Sequence, residues 1–403
     1  MARLISARID GLAGRKEPLN INFAQDVNVF WGLNGSGKTS LLKILHSALY
    51  NDSELLTRVP FKAAAVKFYS ERWECEFTRS TKRIPKTSKA AEARRLAVRS
   101  MLDDARLTSE EAEALEQQVA DADTSFAWTL EPSNPSLKRM AHRYLPTSRI
   151  SEVQAGSLGG SVGVERYSSL SRVLNEATMA ELLANQIQQL WNQYSRSALL
   201  EIRKAQQEGL AAILSSVLRG GGVKGGQEQP GELDVNRAYG LVRKFFEGQS
   251  IPLQLGSFEL FAANYASNKL LREVVWEIYD VQQGIEQAQE PQHRIEEMLG
   301  DLFSGGKRVK LGEREVTVEV DDGVIPISLL SSGEGQLLRI FLECLAAETN
   351  IIIIDEPELS MHVDWQHRLV SSMSTINPHA QIVLATHSPE IMADLPDDRI
   401  IKL

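Results

Sequence analysis

The sequence predicts an α/β fold in which a mixed sheet is flanked by helices and a helical segment is inserted between two halves of the chain. Three observations lead to this prediction. Short apolar segments near both ends, such as "VNVFW" and "IIII", have the length and composition of buried strands. A glycine-rich loop follows the first of these segments and leads into a helix. The middle of the chain carries apolar residues at helical spacing.

The composition indicates a globular protein with more than one part. The chain has 403 residues, which exceeds the comfortable size of a single core and predicts a body with a large insertion. Hydrophobic residues make up 43% and charged residues 24%, which excludes a disordered chain. No apolar run approaches the roughly 18 residues of a membrane span. The net charge of −9 argues against a wholly basic nucleic-acid coat, although it leaves room for a local basic patch.

The N-terminal residues and the cysteines favour a cytoplasmic protein. The first residues, "MARLISARIDGL", alternate polar with apolar side chains and predict a strand, not a signal peptide. Cys75 and Cys344 are far apart in sequence, which fits a reducing compartment and excludes a cysteine-based metal site.

Shifts in composition divide the chain into five expected segments. They are an N-terminal lobe over 1–80, a basic and helical insertion over 81–135, a return strand and loop over 136–165, a helical arm over 166–300 with a glycine-rich break at 219–232, and a C-terminal lobe over 301–403.

Apolar residues at steps of three and four predict two packed helices in the arm. They are Leu183, Ile187, Leu190 and Tyr194 in the first half and Leu271, Val274, Ile278, Val281 and Ile285 in the second. A short antiparallel helical hairpin of coiled-coil type is the sharper interpretation, and ordinary helix packing is the alternative. Gly and Pro interrupt the pattern and exclude a long coiled-coil arm. A β-hairpin is expected at 314–327, after the arm.

The glycine-rich loop carries the clearest chemistry. Gly32, Gly37, Lys38 and Thr39 fit the pattern G-x-x-x-x-G-K-[ST], with a predicted strand before it and a helix after it. Glycines let backbone N–H groups turn inward around phosphate oxygens, and the helix N-terminus adds its positive end. We expect Lys38 to reach the β- and γ-phosphates and the Thr39 hydroxyl to bind Mg²⁺. The alternative is a chance glycine-rich turn.

Three polar residues follow two further predicted strands. Asp355 and Glu356 come directly after the apolar run at 351–354, and His387 comes directly after the strand in "AQIVLATHS". Ligands sit at the carboxyl ends of strands in open α/β sheets. We expect Asp355 to hold Mg²⁺ through water, Glu356 to orient or deprotonate the attacking water, and His387 to contact the γ-phosphate. The plainer interpretations are a solvated acidic turn and a structural histidine.

These motifs, taken in order, resemble those of the ATP-binding-cassette (ABC) ATPases of the SMC/RecF/OLD-like branch. "LSSGE" at 330–334 is similar to the signature motif of that family, "DEPELSMH" to its Walker B motif and D-loop, and "ATHS" to its H-loop. The resemblance covers 1–77 and 303–403 and is weak between them. It implies the P-loop NTPase fold of the ABC type and Mg²⁺-dependent hydrolysis of ATP to ADP and phosphate.

The resemblance also implies a head-to-tail homodimer, or a higher homo-oligomer, that sandwiches ATP. The phosphate loop of one chain and the signature motif of the other would then share each nucleotide, and loss of the γ-phosphate would weaken the dimer. A plain helix N-cap is the alternative for "LSSGE". The residues expected at ATP are Gly32, Asn34, Gly35, Ser36, Gly37, Lys38, Thr39, Ser40, Ser331, Ser332, Gly333 and Glu334.

Two features of the sequence bear on the branch and on nucleotide sensing. The signature has Ser-Ser-Gly-Glu where transporters prefer Ser-Gly-Gly-Gln, which speaks against the nucleotide-binding subunit of a transporter. Gln154 lies in the region of the family's Q-loop and is a candidate ATP-binding residue, while Thr147–Arg149 is the alternative for this sensing role.

Two functions remain open from the sequence. The first is a sensor or scaffold subunit of a prokaryotic antiphage defence system that controls a separate effector, a nuclease or a toxin. The chain ends soon after His387, so we expect no Toprim nuclease domain and place the effector on another chain. The alternative is a RecF-like DNA-repair ATPase, in which the basic segment Lys82–Arg99 would contact DNA.

Overall fold

The computed structural model describes residues 2–85, 124–147, 176–218, 233–248, 256–303 and 306–403. The chain forms two compact units: Met1–Ile187 with Pro326–Leu403, and Gln188–Ile325. The second unit interrupts the first in sequence, which confirms the predicted α/β body with a helical insertion. The finer division into five segments stays a prediction.

The strands are numbered in chain order. They are β1 (Ala2–Asp10), β2 (Leu19–Asn22), β3 (Val27–Trp31), β4 (Ala63–Ser70), β5 (Cys75–Lys82), β6 (Ile84–Pro85), β7 (Thr124–Ser125), β8 (Thr129–Glu131), β9 (His142–Leu145), β10 (Arg308–Leu311), β11 (Val316–Val320), β12 (Gly323–Ile325), β13 (Ile351–Asp355), β14 (Gln381–Thr386) and β15 (Ile400–Lys402).

The helices among the described residues are also numbered in chain order. They are α1 (Lys38–Tyr50), α2 (Glu176–Leu218), α3 (Val235–Gly248), α4 (Phe258–Ser267), α5 (Lys269–Leu302), α6 (Ser332–Ala346), α7 (Val363–Ile376) and α8 (Pro389–Met392). Within the described ranges, no helix is both long enough and apolar enough to span a membrane.

A five-stranded parallel sheet forms the centre of the first unit. Its strand order is β15-β3-β14-β13-β9, and every neighbouring pair is parallel. All residues of β13 and β14 are buried, as expected for continuous apolar runs covered on both faces. The carboxyl ends of these strands therefore meet at one edge.

A second sheet in the same unit is antiparallel, with the order β2-β1-β4-β5-β8. Burial alternates along β4, which is the pattern of a strand with one face against a core. The mixed character expected from the sequence thus lies in two separate sheets, one parallel and one antiparallel. Antiparallel neighbours need only short connections, as between β4 and β5, so the N-terminal segments can pair among themselves.

Helix α1 packs into the core shared by the two sheets. Leu41 and Leu45 from this helix belong to one buried cluster with Phe68 of β4 and Ile353 of β13. Buried apolar area of this kind is the main favourable term in folding, at about 25 cal/mol per Å². The packing fixes the helix that follows the phosphate loop against the parallel sheet.

The buried guanidinium of Arg79 secures the far end of α1. It donates to the carbonyl oxygens of Ala48 and Leu49 in the last turn, and to those of Leu137 and Lys138 beyond. The Ala48 and Leu49 carbonyls lie in the last turn of the helix and lack intrahelical partners, so the buried guanidinium supplies their hydrogen-bond donors. Burial lowers the pKa of Arg79 to about 10.

The second unit contains the predicted helical hairpin. A Cβ atom placed on Gly209 of α2 would lie 1.9 Å from Val281 of α5, and one placed on Gly284 would lie 3.7 Å from Ala205. Since sequence numbers rise along one helix as they fall along the other, the two helices are antiparallel. Helices α3 and α4 pack against α5 in an apolar cluster, in which Ile278 of α5 is fully buried.

A three-stranded antiparallel sheet, β10-β11-β12, completes this unit. The predicted hairpin corresponds to β11 and β12, where Val318 pairs with Ile325. The sequence prediction did not include β10, which pairs with β11 from Arg308 to Leu311. Trp191 of α2 is almost completely buried and donates its indole N–H to Gly312 O at 2.6 Å.

Candidate nucleotide-binding site

Strand register brings the predicted motifs to one edge of the parallel sheet. The last residue of β3, Trp31, pairs with the last residue of β14, Thr386. Asp355 at the end of β13 pairs with Ala385 of β14, and its neighbour Ile354 pairs with Leu145 of β9. The residues that leave these four strands therefore start side by side, which is the ligand-binding edge of an open α/β sheet.

The phosphate loop connects β3 to α1 in the predicted way. Gly37 is the N-cap of α1 with φ 98°, a conformation that strains any residue with a Cβ. Lys38 is 5% exposed, and its Nζ donates to Gly32 O at 2.7 Å and to Leu33 O at 3.2 Å. The lysine side chain thus folds back onto the start of the loop, and its ammonium group lies at the position where the loop would bind phosphates.

The other residues of this segment that were predicted to contact ATP differ in their exposure. Asn34 and Gly35 are exposed, and Ser40 lies half-buried in the first turn of α1. The Ser36 Oγ atom is buried and has no hydrogen-bond partner among the described residues. A buried hydroxyl without a partner is costly in a folded protein, so this atom is a candidate contact for a bound ligand.

Asp355 and Thr39 form an oxygen-rich site beneath the loop. Asp355 is 3% exposed, and its Oδ2 atom accepts a hydrogen bond from Thr147 Oγ1 at 2.7 Å. Burial raises the pKa of Asp355, while hydrogen bonds from Thr147 and Thr39 and the charges of Lys43 and Lys38 oppose this effect. Its Oδ1 atom is buried and has no partner among the described residues.

This donor set fits a magnesium ion. Mg²⁺ prefers a few carboxylate or hydroxyl oxygens together with water and phosphate, and Thr39 and Asp355 supply a hydroxyl and a carboxylate. The unpaired Asp355 Oδ1 atom is the observation that supports the fit, since a buried carboxylate oxygen needs a donor or a cation. The predicted metal residues thus lie together.

Glu356 turns sharply away from the end of β13. Its φ is 50°, which is uncommon for a residue with a side chain, and its N–H donates to Ala385 O at 2.8 Å. Its carboxylate is 21% exposed, and Oε1 lies 4.0 Å from His387 Nδ1. The turn presents the carboxylate at the sheet edge, beside the histidine.

His387 contacts a carboxylate that was not among the predicted site residues. Its Nδ1 atom lies 3.0 Å from Glu358 Oε1, closer than to Glu356. The same oxygen accepts hydrogen bonds from Thr386 Oγ1 at 2.7 Å and from the His387 N–H at 2.9 Å. The sequence signal for Glu358 is weak: it is one more acidic residue in "DEPELSMH", and nothing local links it to "ATHS".

The residues weighed for nucleotide sensing differ in what the structure describes. Thr147 contacts Asp355, as stated above, which places it in the candidate metal site. Gln154 and Arg149 lie outside the described residues. Gln154 therefore stays a prediction, and Thr147 is the one member of the alternative set with an observed position.

The signature residues begin helix α6. Ser331 is the N-cap and forms a capping box with Glu334: Glu334 N–H donates to Ser331 Oγ at 3.3 Å, and Ser331 N–H donates to Glu334 Oε2 at 2.8 Å. Ser331 and Ser332 are exposed, whereas Glu334 is 4% exposed. The observed contacts of Glu334 are those of a helix cap, and its predicted contact with ATP stays a prediction.

Gly333 joins the signature helix to the turn that follows Glu356. A Cβ atom at this position would lie 2.3 Å from the carbonyl oxygen of Ser360, which is shorter than any real contact. Ser360 itself has φ 65°. Glycine is therefore required here by close approach of two backbones. The signature and the D-loop consequently form one packed junction.

The phosphate loop, the carboxylate pair and the histidine at aligned strand ends are similar to the nucleotide-binding site of SMC/RecF-like ABC-type ATPases. Two family models match separate parts of the chain. Residues 8–143 match a model described as "AAA domain", and residues 240–393 match one described as "AAA domain, putative AbiEii toxin, Type IV TA system".

Two curated relatives are named as probable ATPases of retrons. A retron Ec83 probable ATPase of Escherichia coli is 23% identical over 27% of this chain and 23% of the relative. A retron Vc95 probable ATPase of Vibrio cholerae serotype O1 biovar El Tor is 27% identical over 26% of this chain and 24% of the relative. The chain thus matches less than a quarter of the length of either relative.

Solved Smc head domains are also similar. The Pyrococcus furiosus Smc head, bound to the C-terminal domain of ScpA, has a TM-score of 0.44 at 15% identity, with 100% of this chain and 93% of that chain covered. The Thermotoga maritima SMC head has a TM-score of 0.37 at 14% identity, with 97% and 91% covered. These scores are low, so the class rests on the motifs and the family models.

Proposed function

We propose that the chain binds Mg²⁺·ATP at the strand-end site and hydrolyses it to ADP and phosphate. One observation carries the proposal: the predicted residues meet at one edge of the parallel sheet. Lys38 and Thr39 begin α1 directly after the phosphate loop, and Asp355, Glu356 and His387 lie at or directly after the ends of β13 and β14. Such a convergence provides phosphate binding, metal binding and water activation in one place.

Each side chain has a separate role in the proposed reaction. Lys38 and the loop N–H groups hold the phosphates, and Thr39 and Asp355 hold Mg²⁺, which would neutralise charge on the phosphate oxygens. Glu356 orients the attacking water and accepts its proton. His387 donates a hydrogen bond to the γ-phosphate. Glu356 Oε1 and His387 Nδ1 are 4.0 Å apart, so the two side chains lie next to each other at the sheet edge.

A second copy of the chain completes the site in this proposal. Ser331 and Ser332 are exposed at the N-terminus of a helix of 15 residues, and a helix N-terminus attracts anions. The γ-phosphate bound to one chain would meet this surface of the other. ATP would therefore close a head-to-tail dimer, and hydrolysis would release it.

We place this switch in a cytoplasmic prokaryotic defence system, where the chain acts as sensor or scaffold for a separate effector protein. The support is the similarity to retron ATPases and to a family description that names a toxin system. The short matched share of the relatives leaves the effector, a nuclease or a toxin, to experiment.

The decisive variant is Glu356→Gln. It should bind ATP with wild-type affinity, hydrolyse it at least about 100-fold more slowly, and accumulate as a dimer in size-exclusion chromatography with light scattering. Glu348→Gln is the control, because Glu348 is an exposed glutamate at the other end of β13. A wild-type rate in Glu356→Gln would remove Glu356 from its role, and absence of an ATP-bound dimer would overturn the sandwich.

The biological partner is tested with the same variant. Tagged Glu356→Gln is purified from its native host with ATP, and co-purifying molecules are identified. A stoichiometric nuclease-like or toxin-like protein would support the defence role. Recombination proteins, together with ATP-dependent and salt-sensitive binding of duplex DNA, would instead favour the RecF-like alternative.

A further inference from the structure

We propose that Glu358 is a positioning residue for ATP hydrolysis, and that its buried carboxylate holds the His387 ring in the orientation the reaction needs. The inference rests on the proposed function, since it concerns the same site. The order of the sequence motifs assigns no role to Glu358, so the inference adds a residue to the site.

The geometry makes Glu358 an anchor for the end of β14. Its side chain is 4% exposed, and one oxygen, Oε1, receives three donors: Thr386 Oγ1, the His387 N–H and His387 Nδ1, at 2.7, 2.9 and 3.0 Å. Two of these donors belong to the histidine itself. Backbone and ring of His387 are thus held by the same atom, which limits rotation of the ring about χ1 and χ2.

The contact also determines which ring nitrogen carries a proton. A carboxylate only accepts hydrogen bonds, so Nδ1 of His387 must be the N–H that points to Glu358. Nε2 is then the nitrogen left for the substrate. The imidazole is 47% exposed, so it is accessible at the sheet edge while its inner face is fixed.

With Nδ1 donating to Glu358, the ring can also donate from Nε2 to an oxygen of the γ-phosphate when both nitrogens carry a proton. Glu358 therefore supports the hydrogen-bond donor role of His387 through the ring.

Surrounding contacts hold the anchor in place without touching the ring. Ser388 N–H donates to Thr386 Oγ1 at 2.9 Å, and Ser388 Oγ donates to Gln366 Oε1 at 2.7 Å. Thr386 thus bridges this pair to Glu358. The connected set fixes the strand end and the start of α8 together.

Glu358→Gln tests the inference, since it keeps the volume of the side chain and removes its charge. We expect kcat for ATP to fall about 10- to 100-fold with KM within about twofold of wild type, as when the partner that orients a functional histidine is removed. Glu343→Gln is the matched control. Glu343 is a carboxylate of α6 whose side chain is only 13% exposed and which pairs with Arg143, 3.5 Å away, and this variant should keep the wild-type kcat.

The double variant separates positioning from a structural role. If Glu358 acts through the ring, Glu358→Gln should change kcat less than about twofold when His387 is already alanine. Independent losses that multiply in the double variant would overturn the inference, as would a wild-type kcat in Glu358→Gln. If the wild-type chain itself shows no Mg²⁺-dependent ATP hydrolysis, the proposed function is overturned instead.

A second variant covers the case in which Glu358→Gln does not fold. Glu358→Asp keeps the charge and withdraws the carboxylate by one methylene, so the contact with Nδ1 lengthens. We expect a lower kcat at unchanged KM for this variant, and a further drop of less than about twofold in the His387→Ala background. An unchanged kcat in Glu358→Asp would count against the inference.

Discussion

Thr147 and Asp355 show how single residues tune the candidate site. The Thr147 hydroxyl donates to Asp355 Oδ2, and the Asp355 Oδ1 atom has no partner among the described residues. A fixed carboxylate with one unpaired oxygen is prepared to bind a cation directly or through water. In the proposed site, Thr147 would act on Mg²⁺ through Asp355.

We predict that Thr147→Val raises the Mg²⁺ concentration needed for half-maximal ATP hydrolysis about tenfold. The reason is that the Asp355 carboxylate loses the donor that orients it. The measurement is ATPase rate against Mg²⁺ concentration at saturating ATP. Thr57→Val is the control, since the Thr57 hydroxyl bonds within its own surface turn to Glu54 O. Equal Mg²⁺ requirements in both variants would contradict the role of Thr147.

At the scale of elements, the N-terminus of α6 and the turn after β13 are one junction. Gly333 of the helix and Ser360 of the turn meet through backbone atoms, with no room for a Cβ. A displacement of the turn that follows Glu356 must therefore also displace the N-terminus of α6, because packed interiors do not deform freely. The two motifs are joined within a single chain.

We predict that Gly333→Ala destabilises the protein by about 1–3 kcal/mol and lowers ATPase activity, because the new methyl group forces the two backbones apart. Urea unfolding and steady-state kinetics measure the two effects. Gly300→Ala is the control: it lies inside α5, where a Cβ meets nothing within 4 Å, so stability should rise by about 0.5–1 kcal/mol. Equal behaviour of the two variants would contradict the junction.

His46 of α1 and His142 of β9 form a half-buried histidine pair. His46 Nδ1 lies 2.7 Å from His142 Nε2, and the His46 ring stacks on Tyr144 with 4.4 Å between centroids. Burial, and then the charge of His142, lower the pKa of His46 to about 3. Burial, and then the charge of Arg79, also lower the pKa of His142, while a hydrogen bond with the Met140 backbone opposes this.

We predict that acid weakens the fold through this pair. The pKa of each histidine is lower in the folded chain than the ordinary 6.5, so stability is complete above that pH and falls as pH drops toward about 3. Each group can cost up to about 1.4 kcal/mol per pH unit in this range. Urea unfolding between about pH 7 and about pH 5 measures the slope. His46→Leu should flatten it, and an unchanged slope would contradict the assignment.

At the scale of the whole molecule, exposed apolar side chains accompany the nucleotide motifs. Leu33 in the phosphate loop is 80% exposed, Leu329 before the signature is 64% exposed, and Leu359 in the D-loop is 37% exposed. Large apolar side chains at a functional surface mark contacts with another protein. In the proposed dimer the partner is a second copy of this chain.

We predict that Leu33→Glu weakens the ATP-bound dimer more than tenfold in a Glu356→Gln background, because a charge would be buried at the interface. ATP binding by the monomer should remain, since Leu33 contributes only its backbone carbonyl to Lys38. Sedimentation equilibrium with ATP measures the dimer. Leu200→Glu is the control, as Leu200 is 66% exposed in the second unit. Similar dimers in both variants would contradict this surface.

Sequence prediction succeeded where the signal is local. The phosphate loop, β13 and β14 are short segments whose composition and flanking residues define them, so Lys38 and Asp355 could be placed before the structure. The helical hairpin was also predictable, because apolar residues at steps of three and four continue over several turns. Helices α3 and α4, which pack on that hairpin, were not foreseen.

By itself, the sequence determined the α/β class, the order of the nucleotide motifs and the strand ends that carry them, because each depends on neighbours along the chain. Only the tertiary structure decided that Thr147 supports Asp355, that Glu358 holds His387 and that Gly333 touches Ser360. The Thr147–Asp355 and Glu358–His387 contacts join residues 208 and 29 positions apart, respectively. Strand register and close packing create such contacts, and neither is encoded in a local pattern.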